Sequence, residues 1–92
     1  MYSPIPGKRF KKSLKRIAKS GKHDISAIQG VLEIILSEQK LNQKFKNHFL
    51  SGELSEFEEC HIHGDLLLIY KKHESEQIIF LYDIGTHSEL FE

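Results

Sequence analysis

The hydrophobic periodicity of this chain changes once, near residue 43, and that single change limits the folds open to it. Before it, Phe10, Leu14, Ile17 and Ala18 stand at i, i+4, i+7 and i+8, one stripe of an amphipathic helix. Gly21 is a natural stop for that helix. Asp24 or Ser26 can cap a second one, whose Ile25, Ile28, Leu32 and Ile35 form the next stripe. Gly30 inside it costs roughly 1 kcal/mol relative to alanine. After the change, the stretches around Phe45 to Leu50, Leu54 to Ile62, Leu66 to Lys72 and Gln77 to Ile84 read as strands. The run Leu66-Leu67-Leu68-Ile69-Tyr70 is apolar without alternation, the pattern of a central strand covered on both faces. His73-Glu74-Ser75-Glu76 supplies a polar hairpin turn. Pro4, Pro6 and Gly7 mark a turn, and Met1 to Ser3 is a candidate edge strand. Helices first and strands after predict an α+β fold, with an N-terminal helical hairpin packed on one face of an antiparallel sheet.

At 92 residues and 39% hydrophobic content, the chain supports one core, so a single domain over residues 1–92 is expected. Its longest apolar run, five residues, is far below the roughly 18 of a membrane span. No apolar stretch with a small-residue cleavage site follows the early charges, so a cytoplasmic protein is expected. The lone cysteine, Cys60, fits a reducing compartment. The formal net charge of zero conceals a division. Residues 1–46 carry eleven Lys/Arg against three acids, a balance of +8, and residues 47–92 two lysines against ten acids, a balance of −8. Lys8, Arg9, Lys11, Lys12, Lys15, Arg16, Lys19 and Lys22 fall within fifteen residues that hold no acid. Such a run is either a polyanion contact or the solvated face of a helix.

Five of the six histidines, His48, His61, His63, His73 and His87, lie in the acidic half. On an unbroken strand His61, His63 and Asp65 share one face, and Cys60 and Ile62 the other. One reading is a metal site, since alternate His and Asp positions can present nitrogen and oxygen ligands. Another is acid–base chemistry on RNA. Internal cleavage removes a proton from a 2′-hydroxyl, stabilises a crowded anionic phosphorane and protonates the departing 5′-oxygen. Histidine serves both proton steps, because its ordinary pKa lets one imidazole accept while another donates at the same pH. A third reading leaves these histidines as half-exposed strand residues.

The segment His61-x-x-x-Asp65-Leu-Leu-Leu-Ile-Tyr70-Lys71, then Gly85-Thr86-His87-Ser-Glu-Leu90-Phe91, with His48 thirteen residues before His61, resembles the YafQ branch of the RelE/ParE toxin superfamily. The resemblance implies a RelE-like toxin of a type II toxin–antitoxin pair that cuts messenger RNA without a cofactor or metal and is silenced by a cognate antitoxin. Carried over by position, it implies His48, His61, Asp65 and His87 as catalytic residues. His87 is then the general acid, His48 or Asp65 the base, and His61 a charge-stabilising group. It implies Phe91 as the group that positions a nucleotide base. His63 and His73 lie outside the pattern. The lysine-rich first helix, Lys8 to Lys19, then becomes a candidate contact for RNA, the ribosome or the antitoxin. The competing class is a ParE-like toxin that inhibits DNA gyrase, which generally lacks such a histidine set.

Overall fold

An apolar run with no polar face has to be buried on both sides. In the computed structural model, which describes residues 1–91, each residue from Leu66 to Tyr70 is at most 3% exposed. They lie on the middle strand of a five-stranded sheet. The elements are β1 (Ser3–Pro6), α1 (Lys8–Ser20), α2 (Ile25–Leu36), β2 (His48–Phe49), β3 (Glu58–His63), β4 (Leu66–His73), β5 (Ile78–Thr86) and α3 (His87–Phe91). The strand order is β1-β5-β4-β3-β2. No helix among the described residues is long and apolar enough to cross a membrane.

Strands β2 to β5 form the expected antiparallel meander, but β1 runs parallel to β5, so the sheet is mixed. The edge strand runs over Ser3–Pro6 instead of Met1 to Ser3, through the prolines where a turn was expected. Its prolines permit this through their phase. Ser3 N–H donates to the Gln77 carbonyl and Gly7 N–H to the Leu81 carbonyl, each at 2.9 Å. Pro4 and Pro6 occupy the alternate positions, where the nitrogen faces away from β5 and no donor is needed. The second expected strand shrinks to His48–Phe49 between single 3-10 turns at Gln43–Phe45 and Gly52–Leu54.

Both helices form close to where their stripes predict. Gly21 ends α1 in the left-handed region at φ +67, and the Asp24 carboxylate caps α2 by accepting from Ser26 N–H at 2.9 Å. That hydrogen bonding holds the Asp24 carboxyl below its ordinary range. Each stripe meets the core except at one residue, and Leu14 and Leu32 pack against it as expected. Ala18 and Ile25 are exposed, and the buried residues are Phe10 and Ile17 of α1 with Ile28, Val31 and Ile35 of α2. The helices also take the sheet as their chief partner, α1 on β5 and α2 on β3, rather than each other. They meet one face of the sheet through Cys60, Ile62, Leu66, Leu68, Tyr70, Ile79, Leu81 and Ile84. Leu67 and Ile69, on the alternate positions of β4, serve the opposite face.

The exposed first position of the α2 stripe separates two isoleucines of one helix. Ile28→Ala is expected to destabilise the protein by about 2–5 kcal/mol, and Ile25→Ala by less than about 1 kcal/mol, as for an exposed site. Denaturant melts of the two variants check the assignment.

Candidate active site

Register brings the sequence-predicted residues together. His48 pairs with Glu59, Glu59 with Ile69, and Ile69 with Asp83. Two residues on, His61 pairs with Leu67 and Leu67 with Gly85. His48, Glu59, His61, Leu67 and Ile69 therefore share the face that the helices leave free. Leu66 lies opposite Thr86, so the next residues outward, Asp65 and His87, flank each other at the end of the β4–β5 pair. His48 and His61 thus share that face over a floor of Leu67 and Ile69, and Asp65 and His87 lie just beyond the β4–β5 pairing, in the turn before β4 and at the start of α3.

His63 does not join them. The β3–β4 register shifts between His61 and His63, a bulge that breaks the two-residue alternation. His63 ends up opposite Leu66, with its ring 5.5 Å from that of His23 at the start of α2. The expectation that His61, His63 and Asp65 share a face is corrected by that extra residue. His73 lies at the far end of β4.

The environment of His48 is built locally. Lys46 adopts a left-handed conformation at φ +49, which brings its carbonyl to 2.7 Å from His48 Nδ1. With Nδ1–H donating there, Nε2 faces the Glu59 carboxylate at 3.4 Å. Glu59 is only 6% exposed, and the sequence reading passed over it. The available signal was two consecutive acids, Glu58-Glu59, directly before a core cysteine. Glu58 is buried for a different purpose. It accepts from Asn47 Nδ2 at 2.9 Å and from the Tyr70 hydroxyl at 3.4 Å, and that hydroxyl also donates to Asn47 Oδ1 at 2.6 Å. Burial, then the Glu59 and Glu58 charges, push the Cys60 thiol up to about 12, so Cys60 is an inert core residue and no nucleophile.

His87 and Phe91 are placed by α3, a helix the sequence reading did not predict. Its signal is the string Thr86-His-Ser-Glu89, a capping box. Thr86 N–H donates to Glu89 Oε1 at 2.8 Å, and Glu89 N–H to Thr86 Oγ1 at 3.3 Å. The first of these bonds leads the effects that hold the Glu89 carboxyl below its ordinary range. Arg16 of α1 grips the other oxygen, Nη1 to Oε2 at 3.2 Å. Gly85 lets the short helix fold back on β5, since a Cβ there would stand 3.1 Å from Glu89 Oε1 and 3.5 Å from Leu90 Cδ2. One helical turn then brings the Phe91 ring to 5.1 Å from that of His87. Both side chains are exposed.

The basic run divides by role. Arg9 donates to the Tyr82 hydroxyl at 2.7 Å and lies 3.8 Å from Asp83 Oδ2, and Arg16 holds Glu89, so both arginines serve internal contacts. Lys8, Lys11, Lys12, Lys15 and Lys19 are exposed and make no ion pair among the described residues. Likewise, no group of three or more His, Cys, Asp or Glu among the described residues is arranged to hold a metal ion.

Comparison with known proteins gives this arrangement a family. Residues 2–92 match the family described as "Bacterial toxin of type II toxin-antitoxin system, YafQ". A Haemophilus influenzae protein that carries the toxin YafQ name is 32% identical over 66 residues, a match spanning 70% of this chain and 65% of that protein. Among solved structures, a metal-bound toxin from Helicobacter pylori is 41% identical, covers 99% of this chain and 100% of its own, and superposes with a TM-score of 0.91. The Escherichia coli DinJ–YafQ complex shares the fold at a TM-score of 0.86 and 22% identity, over 100% of both chains. The chain belongs to the YafQ family of bacterial type II toxin–antitoxin toxins.

Proposed function

We propose that this toxin is an endoribonuclease that cuts messenger RNA by acid–base catalysis and so stops translation, in the cytoplasm and under the control of a cognate antitoxin. The observation that supports the reading is that His48 and His61 share the helix-free face, with Asp65 and His87 just beyond the end of the β4–β5 pair and Phe91 beside His87. The Escherichia coli YafQ is found assembled with DinJ, which supports an antitoxin partner here.

Both ring nitrogens of His48 face acceptors, the Lys46 carbonyl and the Glu59 carboxylate. Asp65 has no hydrogen-bond partner among the described residues and is exposed. We therefore assign Asp65 as the base that takes the 2′-hydroxyl proton, with His61 supplying a donor to the anionic phosphorane and His48 held beside it by Lys46 and Glu59. The O2′–P bond forms, the P–O5′ bond breaks, and His87 gives its proton to the leaving 5′-oxygen. The products are a 2′,3′-cyclic phosphate and a 5′-hydroxyl. Phe91 offers its exposed ring to a nucleotide base next to the cut. The five unpaired lysines of α1 offer a face to ribosomal RNA or to an acidic antitoxin segment.

The test is cleavage of a defined messenger, free and ribosome-bound, with product ends identified. Wild type is expected to leave cyclic or 3′-phosphate ends with EDTA present, and His87→Ala to cut nothing while melting like the wild type. Cutting by His87→Ala removes the assigned acid, and loss of wild-type activity in EDTA removes the metal-free mechanism. Replication arrest with intact messenger favours gyrase inhibition instead. Asp65→Asn is expected to lower kcat by about 10²–10⁴-fold; single-turnover rates near wild type would transfer the base role to His48. Glu89→Ala is expected to lower kcat by loosening α3, and Glu89→Gln, which can still close the capping box, to restore most of it. Equal kcat values for these two variants would separate the cap from catalysis.

A further inference from the structure

A cleft of about 290 Å³ opens between the C-terminal end of α2, the segment 39–47 and β4. Its lining includes Lys40, Lys46 and Lys72, together with the carboxamides of Gln39, Asn42, Gln43 and Asn47, and no acidic side chain. None of the three lysines makes an ion pair among the described residues, and all three are exposed. This is notable in its setting. Residues 47–92 contain only two lysines, Lys71 and Lys72, against ten acids. Lys71 pairs with Glu56 at 3.6 Å, so Lys72 is the one cation of that half left free of an ion pair among the described residues.

The cleft lies on the helix-covered side of the sheet and reaches the β2 edge beside His48. Lys46 lines it, and the Lys46 carbonyl seats His48. Asn47, the next residue, is locked to Tyr70 and Glu58, so this wall of the cleft is held in place before any ligand arrives. The apolar part of the lining comes from Ile35, Leu41 and Tyr70 and the rest from lysines and carboxamide residues. Ammonium groups and carboxamides suit phosphate oxygens and sugar hydroxyls.

We propose that this cleft is a phosphate-binding subsite for the RNA strand flanking the cut, which enters it past His48 and is held by Lys40, Lys46 and Lys72. The proposal rests on the nuclease reading for its substrate, but its test requires no cleavage. The probe is a fluorescent single-stranded oligoribonucleotide, 2′-O-methylated throughout, titrated by anisotropy over a series of salt concentrations. Each phosphate neutralised on a single strand contributes about 0.7 to the slope of log K against log salt. Lys40→Gln/Lys72→Gln is therefore expected to flatten the slope by about 1.4 and, in the cleavage assay, to raise KM with kcat unchanged. Lys72→Glu, a surface change, is expected to weaken binding further and guards against a folding defect in the double variant. An unchanged slope overturns the proposal. So does a double variant that loses affinity for the purified cognate antitoxin while binding the oligonucleotide as well as wild type, since the cleft then belongs to a protein. A wild type that binds through these lysines yet cuts no messenger sinks the nuclease reading and leaves the subsite standing.

Discussion

The whole architecture answers to β4. Its four aliphatic residues Leu66 to Ile69 release on the order of 10 kcal/mol when covered on both sides, comparable to the entire net stability of a small domain. The helices cover one side through Leu66 and Leu68. On the other side Leu67 and Ile69 have Glu59 and His61 as cross-strand neighbours. The chemistry-bearing side chains therefore stand on a dry apolar floor. Electrostatic interactions above such a floor are stronger than in open water.

The same arrangement explains the division of charge. The basic half of the chain builds β1, α1, α2 and the segment leading to β2. The acidic half builds the rest of the sheet and carries the candidate catalytic groups. The candidate catalytic groups stand in a region whose own balance is −8, so any attraction for an anion there depends largely on cations donated by the other half. The arginines of α1 are spent on geometry, Arg9 on Tyr82 and Asp83 and Arg16 on Glu89. The lysines keep their charge in solvent. Arginine's planar fork favours fixed contacts and lysine's mobile ammonium favours diffuse ones, and α1 divides its cations along that line.

Much of this was legible in the sequence because it depends on period and composition. The uniform run at Leu66 located the central strand, and the stripes located both long helices. What escaped depends on single residues acting against the pattern. The stripe of α2 is set by how the helix meets β3, so Val31 is buried and Ile25 is not. One extra residue at the β3 bulge reversed the expected side of His63, and no count of alternation reveals a bulge in advance. The prolines at positions 4 and 6 read as a turn because their phase relative to β5 is a tertiary fact. The Thr86-x-x-Glu89 box was visible but sat against a strand prediction, and a five-residue helix has too few positions to show a stripe. Glu59 was hidden by its type: a buried carboxylate is rare enough that an acid between two strands' worth of apolar residues reads as solvent-facing.

The alternating prolines of β1 have a consequence for the molecule's behaviour in company. Sheets grow by offering outward amide hydrogens to an incoming strand, and at Pro4 and Pro6 those hydrogens do not exist. This border of the sheet lacks the donors an incoming strand would pair with, at any pH or salt concentration, because the loss is covalent and not a matter of repulsion. The opposite border is β2, only two residues long and ending in a Phe49 that is 65% exposed. Recruitment of foreign backbone is thus denied on one flank and confined to a two-residue foothold on the other, so the molecule has a built-in polarity toward aggregation that its zero net charge would never disclose.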